Sequence, residues 1–550
     1  MIKRLFLLAL CCAATVAQAG VPARIIPAPL RQTNSAGEFV LPAHFSICTA
    51  GLPDSLKSEA LFFAREMEEA TGKPVRLTRH KKAPVQVIHQ SVSDNPEAYH
   101  LQITSQGIQL KAGTSAGFFY GFQTLRKLLP PYGTHPQKTD TCSTYHLPLT
   151  DIQDEPRFIY RGFMLDVARH FFTIEEVKRV LDIMAAYKMN KLHLHLSDDQ
   201  GFRLEVKGYP KLNTIGSVRD YSYATDFKGT RQRAKGNQTY GPYYYTRRQI
   251  RELVEYARHR HIDLIQEIDM PGHFAAALSA YPEFSCTPRQ RHSVLCDESH
   301  TPSILNVVNP QAIQFAKDIL DEVMNQFPYP YIHIGGDECT TSHWENNEEC
   351  RQFMQQHGFS HYRQLQSYFT KTLADHVRPK GYRLMVWNEA ITAPGSDLQM
   401  MGESGVQVIC WTQAEKAARK AAEMGLPLIL APQPTYYINR LQTDAPGEPA
   451  GPGKGTETLE QVYAYNPANN VGQQQLPYYK GIQACMWTEY IASPEHLEYM
   501  MLPRLIAVAE SAWSQPENKD FAGFLQRLRT DRKVWDLQRY TYGPHYLLPE

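Results

Sequence analysis

The chain has 550 residues, 43% of them hydrophobic and 21% charged, with 57 Lys and Arg against 56 Asp and Glu. That leaves room for several domains with sizeable cores, or for one α/β barrel of about 250 residues or more with additions. It excludes collagen, coiled coil and a disordered chain, and a net charge of +1 without a basic run offers no field for a nucleic acid.

Residues 1–19 read as an export signal. Lys3 and Arg4 precede an apolar run, Leu5 to Val16, and Ala17-Gln18-Ala19 is a small-residue cleavage site. The run is too short for a membrane span, and no later stretch reaches the ~18 apolar residues that one needs. The expected compartment is therefore outside the cytoplasm: periplasm, cell surface or medium. Export would permit disulfides. Cys286/Cys296 and Cys339/Cys350 are close enough in sequence for either pair to bridge, with the connectivity open. No CxxC pair follows the leader, so no structural zinc is expected.

Residues 20–150 read as a small α/β domain and linker. A helix runs from Asp54 to about Thr71, and strands follow at 84–90 and 98–111, the second broken by a turn at Ser105-Gln106-Gly107. A second helix spans 114–129 and stops at Pro130-Pro131. The polar stretch 133–149 reads as a linker.

From 151 to 515 the pattern becomes an alternation of short apolar and amphipathic runs. Eight apolar runs stand at 158–167, 191–196, 262–268, 331–334, 383–386, 406–410, 427–431 and 481–486. Helical runs lie at 173–189, 246–261, 310–327, 361–377, 414–424 and 494–514. Eight β–α alternations predict a (β/α)8 TIM barrel with its active site at the strand C-termini. The fold class is thus α/β, a barrel preceded by a small domain. Residues 516–550 read as a helical extension.

The strand ends are rich in carboxylates and indoles. They carry Arg161, Asp166 and Arg169; Asp198 and Asp199; Glu267 and Asp269, with His273 beyond; Asp337-Glu338; Trp387 and Glu389; Trp411; Tyr437, Asn439 and Arg440; and Trp487 with Glu489. No Ser, Cys or Lys nucleophile arrangement accompanies them. Asp337-Glu338 alone could be a helix N-cap with an acidic first turn. Set among the other strand ends, it reads as a catalytic pair whose members are split by their surroundings. Three of the six tryptophans at strand ends suggest a box for a sugar ring. His193 and His195 share a face and could bind a metal, but later strand ends lack further His and Lys ligands. Packed, hydrogen-bonded histidines are the better reading.

Five segments resemble glycoside hydrolase family 20, the β-N-acetylhexosaminidases: 161–170 (RGFMLDVARH), 193–199 (HLHLSDD), 269–273 (DMPGH), 333–338 (HIGGDE) and 484–489 (ACMWTE). The resemblance covers about 24–514. It implies exo-acting, retaining, substrate-assisted catalysis on oligosaccharides or glycoconjugates ending in β-linked N-acetylhexosamine, with no metal or cofactor. By that resemblance Glu338 is the acid/base and Asp337 orients the substrate's acetamido group. Tyr437 would bond the acetamido oxygen, and Trp387, Trp411 and Trp487 would wall its pocket. Arg161 and Glu489 would hold the 3- and 4-hydroxyls, Asp269 and His273 would tune Glu338 from behind, and Asp198 would support the site. Many relatives carry Asp where Asn439 stands. A neutral amide followed by Arg440, with Lys228, Arg231, Arg233 and Lys235 in a nearby loop, suggests tolerance of a 6-sulfated sugar. Two rival readings are a metal-dependent barrel hydrolase using His193 and His195, and a glycan-binding protein with an inactive site.

Overall fold

The computed structural model describes residues 24–129, 143–225, 231–233, 239–297, 303–449, 451–452, 455–469 and 471–546. The expected leader, residues 1–19, and the cations Lys228 and Lys235 lie outside them.

The first domain is a mixed seven-stranded sheet with two helices. Its strands are β1 (Arg31–Pro42), β2 (Ser46–Cys48), β3 (Arg76–Thr78), β4 (Val85–His89), β5 (Tyr99–Thr104), β6 (Gly107–Ala112) and β7 (Thr144–Asp154), in the order β1-β7-β5-β6-β4-β2-β3. Helices α1 (Asp54–Thr71) and α2 (Ser115–Leu128) stand at the expected places, α2 capped by Thr114. The linker reading of 133–149 is corrected from Thr144 onward. That segment belongs to β7, which pairs with both β1 and β5. Its alternation is real, with Tyr145, Leu147 and Ile152 buried, but Pro148 and the polar positions between them obscured it.

Eight parallel strands close the barrel: 160–166, 191–195, 263–267, 331–333, 383–387, 407–410, 428–430 and 479–486. Each falls within two residues of an expected apolar run. Met164, Ile265, Met385, Ile409, Ile429 and Cys485 fill the interior under Trp387 and Tyr437. This is a packed core with a mouth above it. The outer helices begin at strong caps, such as the reciprocal Thr173/Glu176 and Thr246/Gln249 boxes. The expected helix at 494–514 is two helices, 494–501 and 504–513, parted at Leu502-Pro503, because proline supplies no N–H and crowds the preceding turn.

The extension forms a helix, Phe521–Gln538. Its Asp531 accepts Lys127 Nζ at 2.7 Å and the Tyr187 hydroxyl at 2.8 Å, tying the first domain to the barrel. Asp154, at the end of β7, accepts Lys188 Nζ and Trp513 Nε1, each at 2.9 Å. The seven cysteines among the described residues are free thiols, so neither expected pair is bridged; Cys286 hydrogen-bonds Cys350 instead. No helix among the described residues is long and apolar enough to cross a membrane.

Candidate active site

The fourth barrel strand ends at His333, and Gly335 and Gly336 then turn the chain with φ of +65° and +87°. The turn needs glycine for space as well as for φ. A Cβ on Gly335 would lie 1.8 Å from Asp269 Oδ1, and that oxygen accepts the Gly336 N–H at 3.0 Å. Asp337 and Glu338 follow with opposite surroundings. Asp337 is 8% exposed, while the Glu338 side chain is 44% exposed to the mouth. Glu338 and His273 both hold φ of +46°, a left-handed conformation that costs a non-glycine residue about 1–3 kcal/mol.

The two strained residues meet: His273 Nε2 lies 3.3 Å from Glu338 Oε2. Behind His273 stands Asp198, whose Oδ1 is 3.2 Å from Nδ1. Asp198 Oδ2 in turn receives His195 Nε2 and Arg169 Nη2, each at 2.8 Å. Burial opposes charge on all of these groups, but the pairing outweighs it. Asp198 stays well below the usual carboxylate range beside Arg169 and His273, and Asp198 holds His273 well above the ordinary imidazole value. The expected partnership of Asp269 with His273 is corrected here. Asp198 takes that place, and Asp269 turns to Asp337, with which it hydrogen-bonds. Burial and the neighbouring Asp337 and Glu267 carboxyls push Asp269 well up, and its hydrogen bond favours the Asp337 carboxylate.

The box forms as expected. Trp387 and Trp487 have ring centroids 6.0 Å apart, Trp411 stacks on Tyr437 at 5.9 Å and 20°, and Trp487 hydrogen-bonds the Tyr437 hydroxyl. Each of two indoles is pinned by a carboxylate. Trp387 Nε1 donates to Glu267 Oε1 at 2.8 Å, and Trp411 Nε1 donates to Glu389 Oε2 at 2.7 Å. Glu389 is raised to about 7 by burial and by Asp337 nearby. The sequence places Glu267 and Glu389 at strand ends but assigns neither a role. The usable signal was an acid close in sequence or space to an indole that needs an N–H acceptor.

Arg161 does not reach the mouth. It is the second residue of its strand, roughly 17 Å of extended chain before Asp166. Its guanidinium bonds Glu97 Oε2 at 2.7 Å, the Tyr120 hydroxyl at 2.9 Å and the carbonyls of Phe158 and Lys188. It joins the two domains. Arg169, three residues past the strand, occupies the mouth instead: 3.2 Å from Asp166, 3.8 Å from Glu489 and 4.9 Å from the centre of a Trp487 ring. Glu489 is raised by burial against the pull of Arg169, and its Oε2 has no donor among the described residues. The same holds for the buried Oδ1 of Asn439, two residues beyond Tyr437. Arg161→Met should cost about 3–5 kcal/mol of stability by stranding the partly buried Glu97, with KM unchanged below the transition. Arg169→Met should raise KM about tenfold or more. Thermal melts and steady-state kinetics of the two variants check this exchange of roles.

Three groups bring metal-ligating atoms within 4.8 Å of one another: His193/Glu267/His333, His195/Glu267/Asp269 and Asp198/Asp199/His273. The central carboxylates of the three groups, Glu267 and Asp198, are already committed to neighbouring donors. Glu267 receives Trp387 and His195, and Asp198 receives Arg169, His195 and His273. Gln483 Nε2 lies 3.3 Å from His193 Nδ1, so His193 carries its proton on Nε2, 3.2 Å from Glu267.

A closed (β/α)8 barrel whose mouth joins paired carboxyls to an indole box defines a glycoside hydrolase. Residues 158–516 match the glycosyl hydrolase family 20 catalytic domain, and residues 23–155 match domain 2 of the same family. The chain belongs to glycoside hydrolase family 20. It is 34% identical over 544 residues to a beta-hexosaminidase of Porphyromonas gingivalis, covering 96% of this chain and 65% of that protein. A beta-hexosaminidase of Akkermansia muciniphila is 31% identical over 480 residues, 87% of this chain and 90% of the relative. Among solved structures, an exo beta-N-acetylglucosaminidase of Vibrio harveyi in complex with N-acetylglucosamine superposes with a TM-score of 0.82 at 29% identity, covering 95% of this chain and 80% of that one. The N-acetyl-beta-hexosaminidase of Streptomyces plicatus gives 0.78 at 28%, covering 95% and 97%.

Proposed function

We propose that the protein is an exo-acting, retaining β-N-acetylhexosaminidase that removes terminal β-linked GlcNAc or GalNAc from glycans outside the cytoplasm. The observation that carries this is the split of adjacent acids: Asp337 buried against Asp269 beside the box, and Glu338 open to the mouth against His273.

The steps follow from those positions. Glu338 gives its proton to the glycosidic oxygen as that oxygen leaves the anomeric carbon. The substrate's own acetamido oxygen attacks the anomeric carbon, an intramolecular nucleophile with the advantage of proximity. Asp337 receives the acetamido N–H and faces the positive charge that develops on the resulting oxazolinium. Tyr437 donates to the acetamido oxygen, and the box excludes water. The His273 imidazolium stabilises the Glu338 carboxylate left behind. That carboxylate then takes a proton from the water that attacks the anomeric carbon and restores the acetamide. Arg169 and Glu489 hold the far hydroxyls.

A β-N-acetylglucosaminide and the matching β-glucoside, both chromogenic and both with EDTA present, separate this reading from its rivals. Only the acetamido substrate should turn over. Equal turnover of the glucoside would point to a nucleophile on the protein. Loss of activity with chelator, restored by zinc, would return the metal-dependent reading. Tight binding of N-acetylglucosamine with no turnover would make the protein a lectin.

The reading extends to the sugar's 6-position. Asn439 offers an uncharged buried oxygen, where an aspartate would repel a sulfate. Wild type should hydrolyse a 6-sulfated β-GlcNAc glycoside at least about tenfold better than Asn439→Asp. Equal or poorer turnover by wild type would end the proposal. Export rests on the leader alone, and the amino-terminal sequence of the mature protein tests it.

A further inference from the structure

Glu267 is fully buried behind the indole box, and four side chains converge on it. Its Oε1 accepts Trp387 Nε1 at 2.8 Å and lies 2.8 Å from His333 Nδ1. Its Oε2 pairs with His195 Nδ1 and lies 3.2 Å from His193 Nε2. The barrel register brings this about. Glu267 is the last residue of the third strand, directly across from His195 on one side and His333 on the other. All of these side chains are buried, Trp387 at 1% and the histidines at 0% exposure.

We propose that Glu267 is the positioning residue that keeps the two halves of the site in register: the indole wall through Trp387, and the acid/base through the His195–Asp198–His273–Glu338 chain. One rigid carboxylate thereby sets both the wall that the acetamide packs against and the orientation of the group that protonates the leaving oxygen. The Trp387 and His195 connections are charge-assisted hydrogen bonds in a buried interior, where such bonds are strongest, and His193 and His333 stand at ion-pair distance beside them. Burial favours neutral groups here, but His195, His333 and His193 keep Glu267 ionised. Opposing the same burial penalty, Glu267 and Asp198 hold His195 charged, its value raised to about 10. The Glu267 charge also acts on the neighbouring acid pair, raising both Asp269 and Asp337. The titratable groups that face it are His193 and His195 on the second strand, Asp269 on its own, His333 on the fourth, Asp337 beyond that strand and Cys485 on the eighth.

The inference rests on the proposed hydrolase reading, and two variants separate charge from reach. Glu267→Gln removes the charge and presents an amide N–H to a donor. It should lower kcat by about tenfold or more. The acid limb of its kcat/KM profile should move to lower pH, because the Asp269/Asp337 pair loses a neighbouring anion. Glu267→Asp keeps the charge and shortens the arm, so kcat should fall while the acid limb stays. A fold defect alone would not separate the variants in this way. Should Glu267→Gln fail to fold, Glu267→Asp carries the test. A kcat within twofold of wild type in either folded variant would overturn the proposal. So would one equivalent of zinc bound to wild type and lost from the variants. A readout independent of turnover is the downfield proton spectrum: the imidazole and indole N–H signals of His195 and Trp387 should be lost or shifted together in Glu267→Gln. If wild type hydrolyses no β-N-acetylhexosaminide, the functional reading fails, while the paired spectral change still decides the positioning role. Unchanged signals would overturn it.

Discussion

Replacing Glu338 by Gln should lower kcat/KM for a β-linked GlcNAc disaccharide by about 10³-fold, within the range a positioned general acid contributes. The amide matches the carboxyl in shape but cannot deliver a proton to the leaving oxygen. It also cannot take one from water in the second step. The loss should be smaller for a nitrophenyl glycoside, whose leaving group departs without much protonation. The size of that difference reports how much of Glu338's work lies in the first step. The fold should be unaffected, since the Glu338 side chain is 44% exposed and pairs with His273 at the mouth. Steady-state kinetics on the two substrates, with circular dichroism as the control for folding, make the comparison. Equal losses on both substrates would place the main deficit in the hydrolytic step instead.

Asp337→Asn should reduce kcat by about 10²–10³-fold, the scale expected when one stabilising group is taken from a water-excluded site. KM should change far less. Asparagine still offers an oxygen to the acetamido N–H, so the ground state keeps its hydrogen bond. What disappears is the negative charge facing the oxazolinium. The variant should also alter the pH profile. Asp337 must be ionised to act. Burial resists that ionisation, with the Glu267 and Glu338 charges adding to it, while the His273 charge and the hydrogen bond from Asp269 favour it. Wild-type activity should therefore fall on the acid side as the pair takes up its full complement of protons. In Asp337→Asn the limb due to this pair should vanish. A KM rise matching the kcat loss would mean that Asp337 binds substrate and transition state equally.

Most of the architecture could be read in the chain. The eight strands are short β-branched or apolar runs, and the helices between them carry one apolar face, so local periodicity alone revealed the alternation. The Asp337-Glu338 pair, the indoles, Tyr437 and Glu489 were legible because each stands at a strand's C-terminal end or within seven residues of it, where the barrel rule places function. β7 was not, because a proline and polar spacers mask its alternation. Arg161 failed for a related reason. It lies in the right strand at the wrong end, and an apolar run without a sharp start does not say which of its residues faces the bottom of the barrel.

The residue types at the strand ends, and hence the chemistry available, belong to the sequence by itself. The partnerships belong to the tertiary structure. Asp198 rather than Asp269 stands behind His273, Asp269 hydrogen-bonds Asp337, and Arg169 rather than Arg161 faces Glu489. All three depend on strand register, and the Asp269–Asp337 pair also on the turn at Gly335-Gly336; together these join groups separated by tens to hundreds of residues. Protonation follows from the same cause. Adjacent acids such as Asp337 and Glu338 have the same intrinsic affinity for a proton to within about half a unit. Only burial and the charges packed around each of them make one a fixed stabiliser and the other an acid.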